Sequence, residues 1–457
     1  MKELTLKQIA DWCGGTVAPE YETVPVTGVE SDSRKVEVGD LFVALRGERV
    51  DGHDFIPSAK TLGASAALVS RPSEELPCVV VESPLRAYGE IAKHYREMTG
   101  VKVVGITGSV GKTTTKEMIA SVLSRDFKLY KSEGNHNNEI GLPMTVMNMP
   151  EDTELLVAEL GTNHPGEIAY LSAIAQPDYA VITNIGIAHI EYLGSREGIL
   201  REKLDILRSS LKNTVGIFNG DEPLLWNVRD KGTHKKYYFG IDNPSCDVVA
   251  SGIQELDDGM RFHVSGFHHE FELFVPALGR HMVYNALAAA TVGLAMGVKP
   301  ETIQNELSIF RNTGMRQKIY EKNGMTIIED CYNAGPESTE AALGVLASVK
   351  TSGKRIAVLG DMLELGNRSS AEHYRIGRIA AQKADLLLTY GAHSVRTVTG
   401  AITGGMSPKN AEHFDTHEDL VRMLKIRAGE ADVILFKGSR GMKMERVLQM
   451  FLDDHEA

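Results

Sequence analysis

The chain has 457 residues, of which 42% are hydrophobic and 24% are charged, and these proportions are typical of a soluble globular protein. One hydrophobic core rarely grows to this size, so the length predicts about three domains. The formal net charge of −12 argues against a general affinity for nucleic acid or anionic membrane, and neither is expected as a partner. Scattered cysteines, a polar N-terminus and the lack of a long apolar run predict a cytoplasmic protein.

The first 98 residues predict a small α/β module with two polar strand ends. Arginine grips phosphate with two parallel hydrogen bonds, so such strand ends could hold the diphosphate of a sugar nucleotide. The alternative is an ordinary polar turn with a surface ion pair between Asp32 and Arg34, and the residues alone favour it. The residues concerned at the strand ends are Ser31, Ser33, Arg34 and Arg46.

The stretch VVGITGSVGKTTTK, residues 103–116, predicts a nucleotide-phosphate site. An apolar run leads into a glycine-bearing loop and then into a helix-forming series, which favours a strand, a turn and a helix. Backbone N–H groups there can surround phosphate oxygens, while Lys112 reaches the β- and γ-phosphates and Thr113 can ligate Mg²⁺. The match to G-x-x-x-x-G-K-[ST] is incomplete, because Ile106 holds the first glycine position. The predicted loop residues are Gly108, Ser109, Val110, Gly111, Lys112, Thr113 and Thr114.

Two further strands of the central region end in side chains suited to the same site. Apolar residues 155–158 predict a buried strand that ends at Glu159, where a carboxylate ligand for Mg²⁺ is wanted. A strand over 179–182 delivers Asn184 and His189 to the same edge of the sheet. Because Mg²⁺ prefers oxygen, a buried and hydrogen-bonded histidine is the better interpretation of His189 from the residues alone. Lys203 lies on a predicted helix, and from the residues alone it is best interpreted as a lysine with a solvated side chain.

An asparagine cluster lies between the phosphate loop and the strand that ends at Glu159. Asn135, Asn137 and Asn138 stand between two glycines in KSEGNHNNEIGLP. Amide side chains both donate and accept hydrogen bonds, so the cluster suits a polar substrate or a nucleotide. A turn with side-chain-to-backbone hydrogen bonds is the alternative.

The last part of the chain predicts a Rossmann-like, doubly wound parallel sheet, because strands alternate with helices of ordinary length. It lacks the G-x-G-x-x-G fingerprint of a dinucleotide site. Lys437, Ser439 and Arg440 follow its last strand and could bind a carboxylate or a phosphate, although a structural loop with an exposed basic pair is nearly as plausible. The expected domains are 1–98, 99–313 and 314–457.

Taken together, the motifs resemble those of the Mur ligases, ATP-dependent amide-bond-forming enzymes of bacterial cell-wall synthesis. The family's DxYNANP stretch reads DCYNAGP here, with Gly335 in place of asparagine, but Asp330 and Asn333 are kept. The resemblance covers essentially the whole chain and implies a UDP-binding module, a central phosphate-loop ATPase-like parallel sheet and a C-terminal Rossmann-like domain. The motifs, in the family's order, are GITGSVGKTTT, GNHNNEIGLP, ELGTNHPGEI, TNIGIAHIEYLGS, GRHMVYNALAA, DCYNAGPES, VLGDMLELG and KGSRGMKME.

The resemblance assigns roles that the residues alone leave open. It implies that Lys112, Glu159, His189 and Lys203 are catalytic, and that Lys203 is carboxylated by CO₂ to a carbamate that supports a second Mg²⁺. The implied metal set is Thr113, Glu159, His189 and the Lys203 carbamate. The implied ATP contacts outside the loop are Asn285, Arg316, Asp330 and Asn333. The implied contacts of the UDP-sugar end are Ser31, Ser33, Arg34 and Arg46. The implied contacts of the peptide and its acyl group are Asn137, Asn138, Thr162 and Asn163.

The reaction implied by the resemblance joins D-alanyl-D-alanine to UDP-MurNAc-tripeptide through an acyl phosphate, at the expense of ATP, in a monomeric enzyme. The third residue of the peptide, diaminopimelate or lysine, stays open. Within the family, the tripeptide-forming sibling and folylpolyglutamate synthase are alternatives, but the D-x-x-[RK] acceptor motif expected of that sibling is missing. A regulatory phosphate-loop ATPase would carry D-x-x-G where this chain has Glu159-Leu160-Gly161, and a Rossmann oxidoreductase would need the missing glycine fingerprint.

Overall fold

The computed structural model describes residues 1–47, 49–208 and 213–453. Its N-terminal unit is a sheet of four parallel strands, β3-β4-β5-β6, packed against helix α3. Helix α3 begins at the Ser83 cap, and its residues Tyr88, Ile91 and Tyr95 are fully buried. The elements are β1 Leu4–Thr5, α1 Leu6–Cys13, β2 Pro25–Val26, β3 Gly28–Glu30, β4 Asp40–Val43, α2 Ile56–Leu62, β5 Ala66–Val69, β6 Cys78–Val80 and α3 Pro84–Thr99.

The central unit is a sheet of nine strands in the order β15-β14-β13-β12-β11-β10-β7-β9-β8. In this order, the seven strands from β13 at one end to β8 at the other are parallel, which confirms the predicted parallel sheet. Its elements are β7 Lys102–Thr107, α4 Lys112–Leu123, β8 Leu129–Lys131, α5 Gly141–Met147, β9 Leu155–Glu159, α6 Glu167–Ala175, β10 Tyr179–Ile182, α7 Ile190–Leu193, α8 Arg196–Arg208, β11 Val215–Asn219, α9 Pro223–Trp226, β12 Lys236–Gly240, β13 Val248–Leu256, β14 Gly259–Gly266, β15 His269–Val275, α10 Arg280–Ala295 and α11 Pro300–Ser308.

Two strands extend the central sheet in antiparallel fashion, which the parallel prediction did not include. β13, β14 and β15 pair antiparallel through short hairpins. In the second hairpin Phe267 and His268 both have positive φ, 52° and 65°, the backbone that a two-residue turn between twisted strands requires. Such short connections join only antiparallel strands, whereas a parallel pair needs a long crossover.

The last unit is a sheet of six strands in the order β16-β17-β21-β18-β19-β20. Five strands are parallel, as expected, and the edge strand β16 is antiparallel to β17 across the Asn323-Gly324 turn. The elements are β16 Lys318–Lys322, β17 Met325–Asp330, α12 Pro336–Ser348, β18 Arg355–Gly360, α13 Ser369–Lys383, β19 Leu386–Tyr390, α14 Val395–Thr403, β20 Ala411–Phe414, α15 His417–Arg427, β21 Val433–Lys437 and α16 Met444–Asp453.

The core of each sheet is made by its own buried strands. β9 and β21 are buried along their whole lengths, the pattern of strands covered on both faces. The polar residues that follow β7, β9 and β10, and those that follow β17 and β21, therefore emerge only where these strands end. Among the residues described, no helix is both long and apolar enough to cross a membrane.

Candidate active site

A cavity of about 1100 Å³ is lined by residues of all parts of the chain. Loops after β7, β9 and β10 of the central sheet form one wall, and loops after β17 and β21 of the last sheet form the other. Ligands bind at such carboxyl edges in open α/β sheets. The sequence-predicted residues that line the cavity are Ser109, Val110, Gly111, Lys112, Thr113, Thr114, Asn135, Asn137, Asn138, Glu159, Thr162, Asn163, Asn184, His189, Asn285, Arg316, Asp330, Asn333, Lys437, Ser439 and Arg440.

The phosphate loop connects β7 to α4, as predicted. Gly111 has a φ of 83°, and a Cβ atom there would lie 2.7 Å from Asn285 Oδ1, so both conformation and space require glycine. Lys112 is the first residue of α4, and its Nζ donates to the carbonyl of Gly108 at 2.9 Å. The loop therefore carries a cation beside a helix N-terminus, where negative charge is stabilised.

Asn184 shows that the loop binds an oxygen atom. Its Oδ1 accepts the backbone N–H groups of Ser109 at 3.1 Å and Val110 at 3.0 Å. Convergent N–H groups of this kind form an anion-binding nest. Two more bonds tie the loop to the same segment: Thr183 Oγ1 donates to the Val110 carbonyl at 2.6 Å, and Gly186 N–H donates to Ser109 Oγ at 2.9 Å. The residues after β10 thus hold the loop in shape.

Thr113 and Glu159 form a pair of oxygen donors suited to Mg²⁺. The Thr113 hydroxyl donates to Glu159 Oε2 at 2.6 Å, and Asn137 Nδ2 donates to Oε1 at 2.9 Å. The backbone N–H of Glu159 also donates to Ser132 Oγ at 3.2 Å. A hydroxyl and a carboxylate at this spacing are the hard ligands that Mg²⁺ takes beside nucleotide phosphates. The donor set therefore fits the ion.

His189 links the central unit to the last one. It caps the N-terminus of α7 with a φ of 59°, and its Nδ1 is hydrogen-bonded to Glu364 Oε2. This bond lowers the pKa of Glu364 below the usual range of a glutamate. His189 lines the cavity, as does Glu159. Within the described ranges, no three His, Cys, Asp or Glu side chains cluster in a geometry that would hold a metal ion.

Lys203 is buried rather than solvated, with only 2% of its surface exposed. Burial, and next the positive charge of Lys112, lower its pKa well below the usual lysine range, against the opposing effect of Glu202. No carboxylate of the described residues lies within ion-pair distance of its ammonium. Burial also lowers the pKa of Lys112, against Glu159 and together with Arg316. Lys112 lines the cavity, whereas Lys203 is not among the lining residues.

In the last unit, a buried ion pair lies beneath the predicted nucleotide residues. Lys437 Nζ donates to Asp330 Oδ2 at 2.6 Å and to the Asn333 carbonyl at 3.0 Å. The anion that Lys437 contacts is thus a side chain of its own unit, from the neighbouring strand β17. The Arg316 guanidinium lies 3.7 Å from the centre of the Tyr332 ring, a cation–π contact between two residues that line the cavity.

The strand-end residues predicted for the UDP-sugar are not among those that line this cavity. Arg34 pairs with Asp32 through two hydrogen bonds, of 2.8 and 2.7 Å, and its side chain is 85% exposed. This pairing lowers the pKa of Asp32 to about 2. The N-terminal unit contributes Arg86 to the cavity, where its guanidinium lies 4.4 Å from the centre of the Tyr170 ring. Ser31, Ser33 and Arg46 also lie away from the lining.

Sequence reasoning gave no role to two carboxylates that lie between the central and last units. Glu364 meets His189, a residue 175 positions away, and Glu337 accepts the N–H of Ile187, 150 positions away. No local pattern marks such pairs. The motifs VLGDMLELG and DCYNAGPES that contain them were the available signal.

A phosphate loop, a metal-binding oxygen pair and a second sheet that closes the cavity define a nucleotide-binding enzyme. Three family models together match most of the chain: "Mur ligase family, catalytic domain" at residues 25–108, "Mur ligase middle domain" at 106–293 and "Mur ligase, glutamate ligase domain" at 315–440. The chain belongs to the Mur ligase family.

Relatives within the family are similar over full length. A UDP-N-acetylmuramoyl-tripeptide–D-alanyl-D-alanine ligase of Bacillus subtilis is 41% identical, with 99% of both chains covered. The protein of the same name from Escherichia coli is 35% identical, with 98% of both covered. A crystal structure of MurF from Acinetobacter baumannii superposes with a TM-score of 0.90 at 32% identity, covering 99% of both chains. The ADP complex of Thermotoga maritima MurF gives 0.83 at 31%, covering 94% of this chain and 98% of that one.

Proposed function

We propose that this protein is the ATP-dependent ligase that joins D-alanyl-D-alanine to UDP-N-acetylmuramoyl-tripeptide, with ADP and phosphate as the other products. The observation that carries this proposal is the phosphate loop with Lys112 and the Thr113–Glu159 pair, set in a cavity that the last unit completes. The relatives that share its whole length bear the name of this activity. The expected units are 1–98 for the UDP-sugar, 99–313 for ATP and 314–457 for closure over both.

The first chemical step is phosphoryl transfer to the terminal carboxylate of the tripeptide. Two anions must meet, so positive charge at the γ-phosphate is essential, and Lys112 supplies it at the helix N-terminus. Mg²⁺, when bound by Thr113 and Glu159, would neutralise phosphate charge further. The backbone N–H groups of Ser109 and Val110 now donate to Asn184 Oδ1. When ATP binds, they would either donate to a phosphate oxygen instead or keep the bond to Asn184, which would then hold the loop in shape. The product of this step is an acyl phosphate.

A second metal position would be completed by His189 and by a carbamate on Lys203. Carbamate formation adds CO₂ to a neutral amine and releases one proton, so it needs a lysine that is uncharged near neutral pH. The burial of Lys203 and the lowered pKa of its amine support this assignment. The carbamate would bring one negative charge to a region that already contains Lys112.

The second step is attack of the dipeptide amine on the acyl phosphate, which passes through a tetrahedral intermediate and expels phosphate. Water would hydrolyse the acyl phosphate, so the site must exclude it. The contacts that place the last unit over the cavity, from His189 to Glu364 and from Ile187 to Glu337, support this role.

The substrates are assigned to positions along the cavity. The nucleotide would meet Asn285, Arg316, Asp330 and Asn333 on the side of the last unit. The peptide and its acyl group would meet Asn137, Asn138, Thr162 and Asn163. The UDP end would reach Ser31, Ser33, Arg34 and Arg46 in the N-terminal unit.

We further propose a monomer that acts in the cytoplasm. All four cysteines, Cys13, Cys78, Cys246 and Cys331, are free thiols, as is usual in that reducing compartment. The small-molecule substrates need no second subunit, since residues of one chain surround the cavity.

The test is phosphate release from Mg·ATP with UDP-MurNAc-tripeptide, carrying either diaminopimelate or lysine as third residue, with and without D-alanyl-D-alanine. The expected result is release that needs both substrates, and a product heavier by the dipeptide less one water. The preferred tripeptide would identify the third residue. Binding of ATP without release for any pairing would contradict the proposal.

A further inference from the structure

Glu337 of the last unit reaches across to the central unit. It lies in the first turn of α12, next to Pro336. Its Oε1 accepts the N–H of Ile187 at 2.9 Å, just beyond β10. The carboxyl group packs closely on the neighbouring Gly186, since a Cβ atom there would lie 2.7 Å from the same oxygen. The carboxyl group is thus fixed against the segment that also braces the phosphate loop.

The other oxygen of Glu337, Oε2, is buried and has no hydrogen-bond partner. Among the cavity-lining carboxylates in the described part of the chain, it is the one with a buried oxygen left unsatisfied. Its neighbours are engaged: Glu159 by Thr113, Asp330 by Lys437 and Glu364 by His189. A buried acceptor without a donor is unfavourable, and a ligand that brings a donor relieves the cost.

The nucleophile of the reaction enters this cavity as a cationic donor. Both the tripeptide terminus and ATP are anions, whereas the dipeptide enters with an ammonium group. That ammonium must lose a proton before its nitrogen can attack a carbonyl carbon, since a protonated amine has no free electron pair. A base within reach of the nitrogen is therefore needed, and its own affinity for protons should be higher than that of an exposed carboxylate.

We propose that Glu337 binds the ammonium of the incoming dipeptide through Oε2 and removes its proton, a role that rests on the proposed ligase function. One proton passes from nitrogen to Oε2, which leaves a neutral amine and a neutral carboxyl group. The amine nitrogen forms a bond to the acyl carbon, and the carbon–oxygen bond to phosphate breaks. The second nitrogen proton leaves with the phosphate, and Glu337 returns its own proton to solvent after the product departs.

The electrostatic surroundings of Glu337 suit this task. Burial raises its pKa above the usual glutamate value, partly opposed by the Ile187 hydrogen bond. From the neighbouring helix α13, Glu372 raises the pKa slightly and Arg375 lowers it slightly. Because Oε1 is held by a residue of the central unit, the base is in place only when the last unit is docked. Proton removal would thus be coupled to closure of the cavity.

The experiment compares Glu337→Gln with the matched control Glu340→Gln. Glutamine keeps an Oε1 that can accept the Ile187 N–H but cannot take a proton. Glu340 lies on the same helix, where it is exposed and pairs with Arg375 at 2.6 Å, away from the cavity. Each variant is assayed at neutral pH with the dipeptide and with hydroxylamine, an uncharged nucleophile that traps the acyl phosphate as a hydroxamate and needs no base.

For Glu337→Gln we expect kcat/KM with the dipeptide to fall about tenfold at neutral pH, where about a tenth of the amine is already neutral, while hydroxamate formation stays within about twofold. The loss with the dipeptide should shrink as pH rises towards about 8, where the amine deprotonates in solution. Glu340→Gln should resemble the wild type in both assays. Unchanged dipeptide turnover, or an equal loss with both nucleophiles, would overturn the assignment. A wild type inactive with every substrate pair would instead contradict the ligase function itself.

Discussion

The phosphate loop and the turn at Ser31–Arg34 are both polar segments that follow a buried strand, yet only the first lines the cavity. The loop gives its backbone N–H groups to Asn184, and its Lys112 faces the cavity. In the turn, the arginine is paired with Asp32 and exposed. Of these two polar strand ends, one is thus part of an assembled cavity, and the other is paired within its own turn and exposed.

The positions of the two strands in their sheets explain the difference. β7 lies inside the central sheet between β10 and β9, so residues after both neighbours converge on its loop. β3 is an edge strand with β4 as its one neighbour within the sheet. Fewer groups can reach a turn at an edge. A strand-end motif therefore becomes a full site where neighbouring strands add to it.

The largest effect is expected for Lys112→Ala, which removes the cation from the assembled site. ATP turnover should fall at least about 10³-fold, because the phosphoryl charge loses its main protein partner. Circular dichroism and the thermal midpoint should remain those of the wild type. The control is Lys102→Ala, at the exposed start of β7, the strand that leads into the loop. This variant should keep full turnover. Wild-type-like turnover of Lys112→Ala would contradict the central claim.

Lys203→Met should reduce turnover roughly 100-fold, by loss of the carbamate that supports the second metal. High bicarbonate should not restore it. The same variant should raise the thermal midpoint in CO₂-free buffer. The pKa of Lys203 is lowered in the folded state, so between its folded and unfolded pKa values the unfolded chain binds more protons, and stability rises with pH up to about 10. Methionine removes this cost and flattens that rise. Unchanged turnover would show that the role is wrong.

Asn184→Ala tests whether the bracing of the loop matters. It removes the oxygen that two loop N–H groups share, so the loop becomes less ordered before ATP binds. The KM for ATP should rise roughly tenfold, the worth of one or two hydrogen bonds. Asn184→Asp should be more harmful, because its carboxylate would occupy the nest and repel phosphate. Equal KM values for Asp and Ala would argue that this side chain stays clear of the nucleotide.

The sequence was sufficient where a site lies within one stretch of chain. Residues 103–116 predicted a strand, a loop and a helix, and the structure has them as β7 and α4 with Lys112 at the junction. It was insufficient where partners lie far apart, as for His189 with Glu364, 175 positions away. Periodicity and turn signals are local, whereas such contacts depend on strand order. Burial of Lys203 is of the same kind, since its helix alone indicates a surface lysine.

The smallest effect is expected at the turn, from Arg34→Ala. The Asp32–Arg34 pair is exposed, so its loss should leave the free energy of unfolding nearly unchanged. The pKa of Asp32 is depressed to about 2, so what the pair contributes is present above pH of about 4 and is lost as pH falls through about 2. If Arg34 contacts the UDP end, the KM for the UDP substrate should rise about two- to fivefold while the KM for ATP stays constant. Lys60→Ala, which removes another exposed ion pair of the same unit, is the control and should change neither constant. Equal kinetics for both variants would leave Arg34 as a surface turn residue and move the recognition of the diphosphate towards Arg86, which already lines the cavity.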